Sequence, residues 1–124
     1  MKPDIQNRED IYLIVSEFYK KLMVDEDVKH FFVDFTGKEA LEHHLQILVD
    51  FWDNIIFYSG TYARNAMKPH LLINKTKPFK TEHFKVWLDY FFESIDANFE
   101  GENAHAAKTR AQSIATVMQL KMNP

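Results

Sequence analysis

Residues 41–52 read LEHHLQILVDFW, and this stretch decides the fold. Leu41, His44, Leu45, Leu48, Trp52 and Ile55 recur every three or four positions. That is the period of a helix with one apolar stripe, not the alternation of a strand. Each helical residue turns the chain by about 100°, so the two adjacent histidines face different surroundings. His44 points with the stripe and His43 toward its edge. His43 reads as a surface residue, whereas His44 reads either as a core histidine hydrogen-bonded inside the protein or as a residue facing a ligand.

Working outward, Gly37 marks a break and the helix extends from about Lys38 to Phe57. Upstream, Asn7 followed by Arg8-Glu9-Asp10 has the polar cap and acidic first turn of a helix start. Ile11, Ile14, Val15, Phe18, Tyr19 and Leu22 then repeat at helical spacing, with an end near VDED and a shorter piece, VKHFF, after it. Downstream, residues 58–80 hold no long period and contain Gly60, Pro69 and Pro78, which predicts a loop with at most one or two short turns. Thr81 is the expected cap of a helix that presents Phe84, Trp87, Leu88, Phe91 and Ile95 on one face and runs to about Phe99. A last helix, about Asn103 to Lys121, is expected to bury Ala107, Ala111, Ile114, Ala115 and Met118. With no convincing strand, repeat or linker, the fold class is all-α and residues 1–124 form one expected domain.

Composition narrows the chemistry. The chain has 124 residues, 46% of them hydrophobic, enough for one core without staples. It has no cysteine, which removes thiolate catalysis, iron–sulfur clusters and cysteine-based zinc sites together. A formal charge of -3 gives no pull toward polyanions, so neither nucleic acid nor membrane is an expected partner. The N-terminus lacks the apolar region of a secretory signal and no apolar run approaches the ~18 residues of a spanning helix, so a cytoplasmic location is expected. Aromatics reach 15% while Gly numbers only 3 and Pro only 4, which suggests helices around something bulky or an aromatic core.

Familiar site motifs are absent. There is no G-x-G-x-x-G, P-loop or G-x-S-x-G, no H-E-x-x-H, and no paired Glu-x-x-His motif of the kind a di-iron bundle uses. The informative residues are therefore single ones. His70 sits in a proline-containing connector among Met67, Leu71, Leu72 and Ile73, where solvation is not the obvious outcome. His83 lies in the first turn of its helix, and His30 and His105 read as surface residues. Tyr19 and Trp87 each carry one polar group on an apolar stripe. Each group either finds a backbone carbonyl or converges with an imidazole on one donor-lined cavity.

In order along the chain, EFYKKL, HHLQILVDFW, MKPHL, HFKVWLDYFFES and RAQSIATVMQ resemble the landmarks of the truncated (two-over-two) haemoglobins, specifically their third group. The resemblance runs from about Asn7 to Gln119, and the lack of a Gly-Gly pair is typical of that group. It implies a two-over-two helical sandwich around haem b, with His70 as the iron ligand. Tyr19, His44 and Trp87 match the polar residues that face the ligand side. Phe32, Leu48, Phe51, Trp52 and Phe84 match apolar walls of the haem pocket, and Lys68 is a candidate partner of a propionate. The segment from His70 to Trp87 departs from the family in length and in basic character, and this leaves His83 as a second candidate ligand.

Iron held by a neutral imidazole, with no thiolate in the chain, is the arrangement of oxygen binders and peroxidase-like proteins. The resemblance thus implies binding of O2, NO, CO or a similar small ligand. Turnover in NO dioxygenation or peroxide chemistry would need an external electron donor, because the chain has no flavin or nicotinamide motif of its own. The competing reading, a haem-free helical interaction or regulatory module, explains the periodicity equally well.

Overall fold

The computed structural model describes residues 2–35, 37–58 and 79–122. Four helices follow one another: α1 (Arg8–Leu22), α2 (Lys38–Phe57), α3 (Thr81–Asp96) and α4 (Glu102–Met122). A 3-10 helix over Lys29–Phe35 lies between the first two and rests on α2. No strand occurs among the described residues. Helix α1 lies against both α2 and α3, and α4 against both α3 and α2. The contacts close a ring of four helices, a pair laid over a pair, as expected of a two-over-two sandwich.

Helix α1 starts where its sequence says it should. The Asn7 backbone is extended and its side chain accepts from the Asp10 N–H at 3.0 Å, while Glu9 and Asp10 occupy the positive end and Lys20 and Lys21 the negative end. Its buried residues are the six that the period picked out: Ile11, Ile14, Val15, Phe18, Tyr19 and Leu22. Helix α2 also keeps its expected limits and ends at Tyr58, whose φ of 55° is left-handed. Its buried face differs from the expected stripe. Leu45, Val49, Trp52 and Asp53 are buried, while Leu41, His44, Leu48 and Ile55 are only half-buried and His43 is exposed. The physical reason lies in Arg8, whose guanidinium reaches Asp50 at 2.8 Å and Asp53 at 3.4 Å and so accompanies a carboxylate into the α1–α2 contact.

Two ends were placed differently by sequence. Thr81 is the first residue of α3 and Lys80 holds the cap position. The cap bond comes from His83, whose Nδ1 accepts from the Lys80 N–H at 2.9 Å. Helix α3 stops at Asp96 rather than Phe99, where the Asn98 N–H tightens onto the Ile95 carbonyl three residues back. In α4 the buried face is the small-residue row Ala104, Ala107, Ala111 and Ala115, with Ile114 and Met118 half-buried at its edge.

The N-terminal segment is tied to the α3–α4 corner. Ile5 is 1% exposed, inside the main core. The Asp4 carboxylate accepts from the N–H groups of Asn103 and Ala104, each at 2.9 Å, and so caps α4 from almost 100 residues away in sequence. Burial pushes the Asp4 carboxyl upward, but the backbone donors of Asn103, Ala104, Ile5 and Glu102 outweigh it and hold the group below its ordinary value. Gly101 at the corner has a φ of 141°, and a Cβ there would lie 2.6 Å from the Asp4 Cγ. Glycine is the residue this turn requires.

Candidate functional site

The donor cluster is built first by α1 and α2. Tyr19, 7% exposed, comes from the buried face of α1, and His44 from the half-buried edge of α2. The Tyr19 hydroxyl and the His44 Nε2 are hydrogen-bonded at 2.7 Å, with ring centroids 5.2 Å apart. Burial pushes the Tyr19 phenol up, so the hydroxyl keeps its proton throughout the neutral range. Two patterns fit that single bond. When Nε2 is bare, Tyr19 donates to it. When Nε2 carries a proton, His44 donates to the Tyr19 oxygen and the phenolic proton is free to turn toward a third group. Phe32, from the 3-10 helix, stands edge-on to the Tyr19 ring at 5.2 Å and covers it from the side.

Trp87 joins through an aromatic spacer. Phe18, next to Tyr19, packs edge-on to Tyr19 and to Trp87, each at 5.7 Å. Trp87 lies nearly parallel to Phe91, at 5.8 Å and 4°, and Phe91 in turn stacks on Trp52 at 4.8 Å. Three aromatic rings of α2 and α3 thus form one stack that Phe18 of α1 abuts edge-on. Half-buried Trp87 has no hydrogen-bond acceptor for its indole N–H among the described residues.

The structure therefore sets Tyr19 against both His44 and Phe32, with Trp87 one ring away. Leu48 and Phe51 are half-buried on α2 against the main core. Trp52, 5% exposed, belongs to the aromatic stack and also lines a cavity of about 10 Å³ together with Ile11, Ile14, Val15, Phe91 and Ala107. That cavity is wholly apolar and contains none of the three donors, so it is separate from the cluster. Phe84, with Ala115, forms a smaller cluster against which Trp87, Leu88, Phe79 and Met118 pack. His70 and Lys68 fall within 59–78, outside the described residues. His83 is occupied at Nδ1 by the cap of α3, with its ring edge-on to Phe31 at 5.0 Å. Its imidazole is held below the ordinary value, first by burial and then by the neighbouring His30.

The sequence missed Phe18 as the spacer between Trp87 and the Tyr19–His44 pair, and Phe91 as the ring that joins Trp87 to Trp52. Their positions on two apolar stripes, one beside Tyr19 and one four after Trp87, were the available signal. As chemistry, the arrangement offers a protonated phenol paired with an imidazole, and an indole N–H that has no acceptor among the described residues, bordered by aromatic walls. Such a set stabilises a small ligand that gains negative charge, and excludes the water that would compete for it. Its aromatic borders also suit a flat, largely apolar macrocycle. Haem fits the residues present on those two grounds.

No family model matches the chain. It is similar to a group 3 truncated haemoglobin of Campylobacter jejuni subsp. jejuni, with 31% identity over 121 residues, 96% of this chain and 93% of the relative. It is also similar to the crystal structure of a group III truncated haemoglobin from Campylobacter jejuni, with a TM-score of 0.88 and 30% identity across 98% of this chain and 95% of that one.

Proposed function

The chain belongs to the group 3 truncated haemoglobins, and on that premise we propose that it binds haem b through His70 and takes O2, NO, CO or a similar small ligand beside Tyr19, His44 and Trp87. The observation that carries this reading is the pairing of the buried Tyr19 hydroxyl with His44 at 2.7 Å, one aromatic ring away from an indole N–H with no acceptor among the described residues. Family membership favours a haem globin over the haem-free helical module that periodicity alone allows.

Haem supplies the iron that holds the ligand, and the chain supplies everything that decides how long the ligand stays. Tyr19 stays neutral because it is buried, so it offers a proton rather than a repelling charge. His44 controls where that proton points through the state of its Nε2. Trp87 offers a second donor from the α3 side. Each hydrogen bond to a group that gains charge is worth roughly 1.5 to 3 kcal/mol, or about ten- to a hundredfold in affinity. Phe32 and Phe18 keep water from the donors, and Leu48, Phe51, Trp52 and Phe84 line the rest of the pocket in this proposal. Two donors make ligand release slow. Slow release suits conversion of the ligand at the site, by NO dioxygenation or peroxide reduction with electrons from an external donor, better than it suits carriage.

The test is spectroscopic. The haem-loaded ferrous protein is expected to show an intense Soret band and a five-coordinate histidine-ligated spectrum that shifts on adding CO, and His70→Ala is expected to lose the histidine-ligated signature. Absence of a Soret band in the wild type overturns the haem assignment, and an unchanged spectrum in His70→Ala overturns His70 as the ligand. Rapid mixing of the ferrous O2 complex with NO then reads the dioxygenase step: nitrate formed in one-to-one yield supports it, and simple ligand exchange overturns it.

A further inference from the structure

We propose that Asp25 and Tyr90 are positioning residues for ligand binding, a clamp that holds the Trp87 indole at its distance from the Tyr19–His44 pair. The inference rests on the haem-globin reading above and extends it to residues that touch neither haem nor ligand. Tyr90 lies three positions after Trp87 on α3, on the same side of the helix. Its hydroxyl donates to one oxygen of the Asp25 carboxylate, just beyond the end of α1. One turn further along α3, the hydroxyl of Ser94, 1% exposed, accepts from the Lys21 ammonium at 3.2 Å. Lys21 and Asp25 are four residues apart, and so are Tyr90 and Ser94. The two bonds are therefore the rungs of one antiparallel ladder, and together they fix both the rotation and the height of α3 against α1.

Asp25 has a second hold. Its other carboxylate oxygen accepts from the Asp27 N–H at 2.8 Å, and its carbonyl accepts from the N–H groups of Val28 and Lys29. Those bonds start the 3-10 helix that carries Phe32 to the face of Tyr19. One side chain thus joins the wall over Tyr19 to the helix that bears Trp87. An α3 helix freed from Asp25 keeps the apolar contacts of its Trp87 and Phe91 with Phe18 and of Phe91 with Trp52, but it can roll on them. An indole donor that rolls loses its aim before the protein loses its fold, because hydrogen bonds weaken steeply with angle whereas apolar contact does not. Both the bond and the ladder lie partly open to water, so their contribution to overall stability is small and the effect falls on geometry.

The test combines Tyr90→Phe with Trp87→Phe in the haem-loaded ferrous protein and reads three quantities: ligand dissociation by stopped flow, the iron–CO stretching frequency, and exchange of the Trp87 indole N–H by NMR of the CO complex. Tyr90→Phe is expected to speed dissociation about three- to tenfold, shift the stretching frequency in the same direction as Trp87→Phe, and quicken indole exchange. In the Trp87→Phe background it is expected to add nothing to either the rate or the frequency, since a residue acting only through Trp87 has nothing left to act on. Asp25→Asn, which keeps the turn and weakens the bond to Tyr90, is expected to give a smaller change of the same kind. If Tyr90→Phe and Asp25→Asn leave all three unchanged while Trp87→Phe speeds release, the clamp is overturned and the distal role of Trp87 stands. Additive effects in the double variant overturn it too. If Trp87→Phe itself changes neither rate nor frequency, the distal reading of Trp87 fails and the clamp falls with it.

Discussion

Two regions of the molecule tie distant parts of the chain together through hydrogen bonds, and they do so to opposite ends. At the α3–α4 corner, Asp4 spends both carboxylate oxygens on the backbone N–H groups of α4 and Ile5 fills the core beside it. The N–H groups of Ile5, Glu100, Asn103 and Ala104 all have acceptors there, and the turn admits no side chain at Gly101. At the donor cluster, Tyr19 and His44 share one bond that can run in either direction, and the Trp87 indole N–H has no acceptor among the described residues. The corner is closed and the cluster is left with capacity to spare. A fully satisfied set of polar groups specifies a fold, whereas a partly satisfied one in an apolar surround is where a ligand is recognised.

That contrast can be broken from either side. The largest effect is expected at the corner, where Gly101→Ala forces a Cβ into the Asp4 carboxylate and a φ that L-residues avoid. It should cost about 2 to 3 kcal/mol in denaturant unfolding while leaving ligand dissociation from the folded haem protein unchanged. Next comes Tyr19→Phe, expected to speed O2 release about tenfold, roughly 1.4 kcal/mol, with a smaller change in stability. If the corner variant altered release as strongly as Tyr19→Phe, the separation of the two regions would be lost.

The smallest effect sharpens the comparison through pH. The Asp4 carboxyl is held below its ordinary 3.8 in the folded protein, so its contribution is fully present above the unfolded value. It fades as pH falls through the lowered folded value. Asp4→Ala should therefore cost about 1 kcal/mol near pH 7, a helix-cap loss, and progressively less as pH drops below 3.8. Urea midpoints of the two proteins, taken between pH 7 and pH 2.5, should converge. A gap that stays constant to the acid end would show that the carboxylate charge is not what caps α4.

Much of this molecule was legible from side-chain periodicity. The six buried residues of α1 follow from spacing and the Asn7 cap, and the limits of α2 from spacing and the break at Gly37, because a helix with one apolar face and a clear start has little else it can do. The separation of His43 from His44 was legible for the same reason. What stayed hidden depends on partners remote in sequence. Asp53 is buried because Arg8 accompanies it, and Thr81 is displaced from the cap because the His83 ring supplies the acceptor. The resemblance named Tyr19, His44 and Trp87 as a set, but nothing in their spacing reveals that Tyr19 and His44 touch while Trp87 stands one ring away. The junction at Asp25 was invisible, since an aspartate in a polar turn looks the same whether or not a tyrosine 65 residues later reaches it.

The tie between Asp4 and α4 also says something about when parts of the chain can form. Asp4 is synthesised 100 residues before Ala104. Loop closure over such a separation is slow compared with the winding of a single helix. During synthesis α1 has its own Asn7 cap at once, whereas α4 needs a segment made 100 residues earlier to return before the Asp4 cap is in place. The ring of four helices is therefore tied by a carboxylate that is synthesised before any of the four helices.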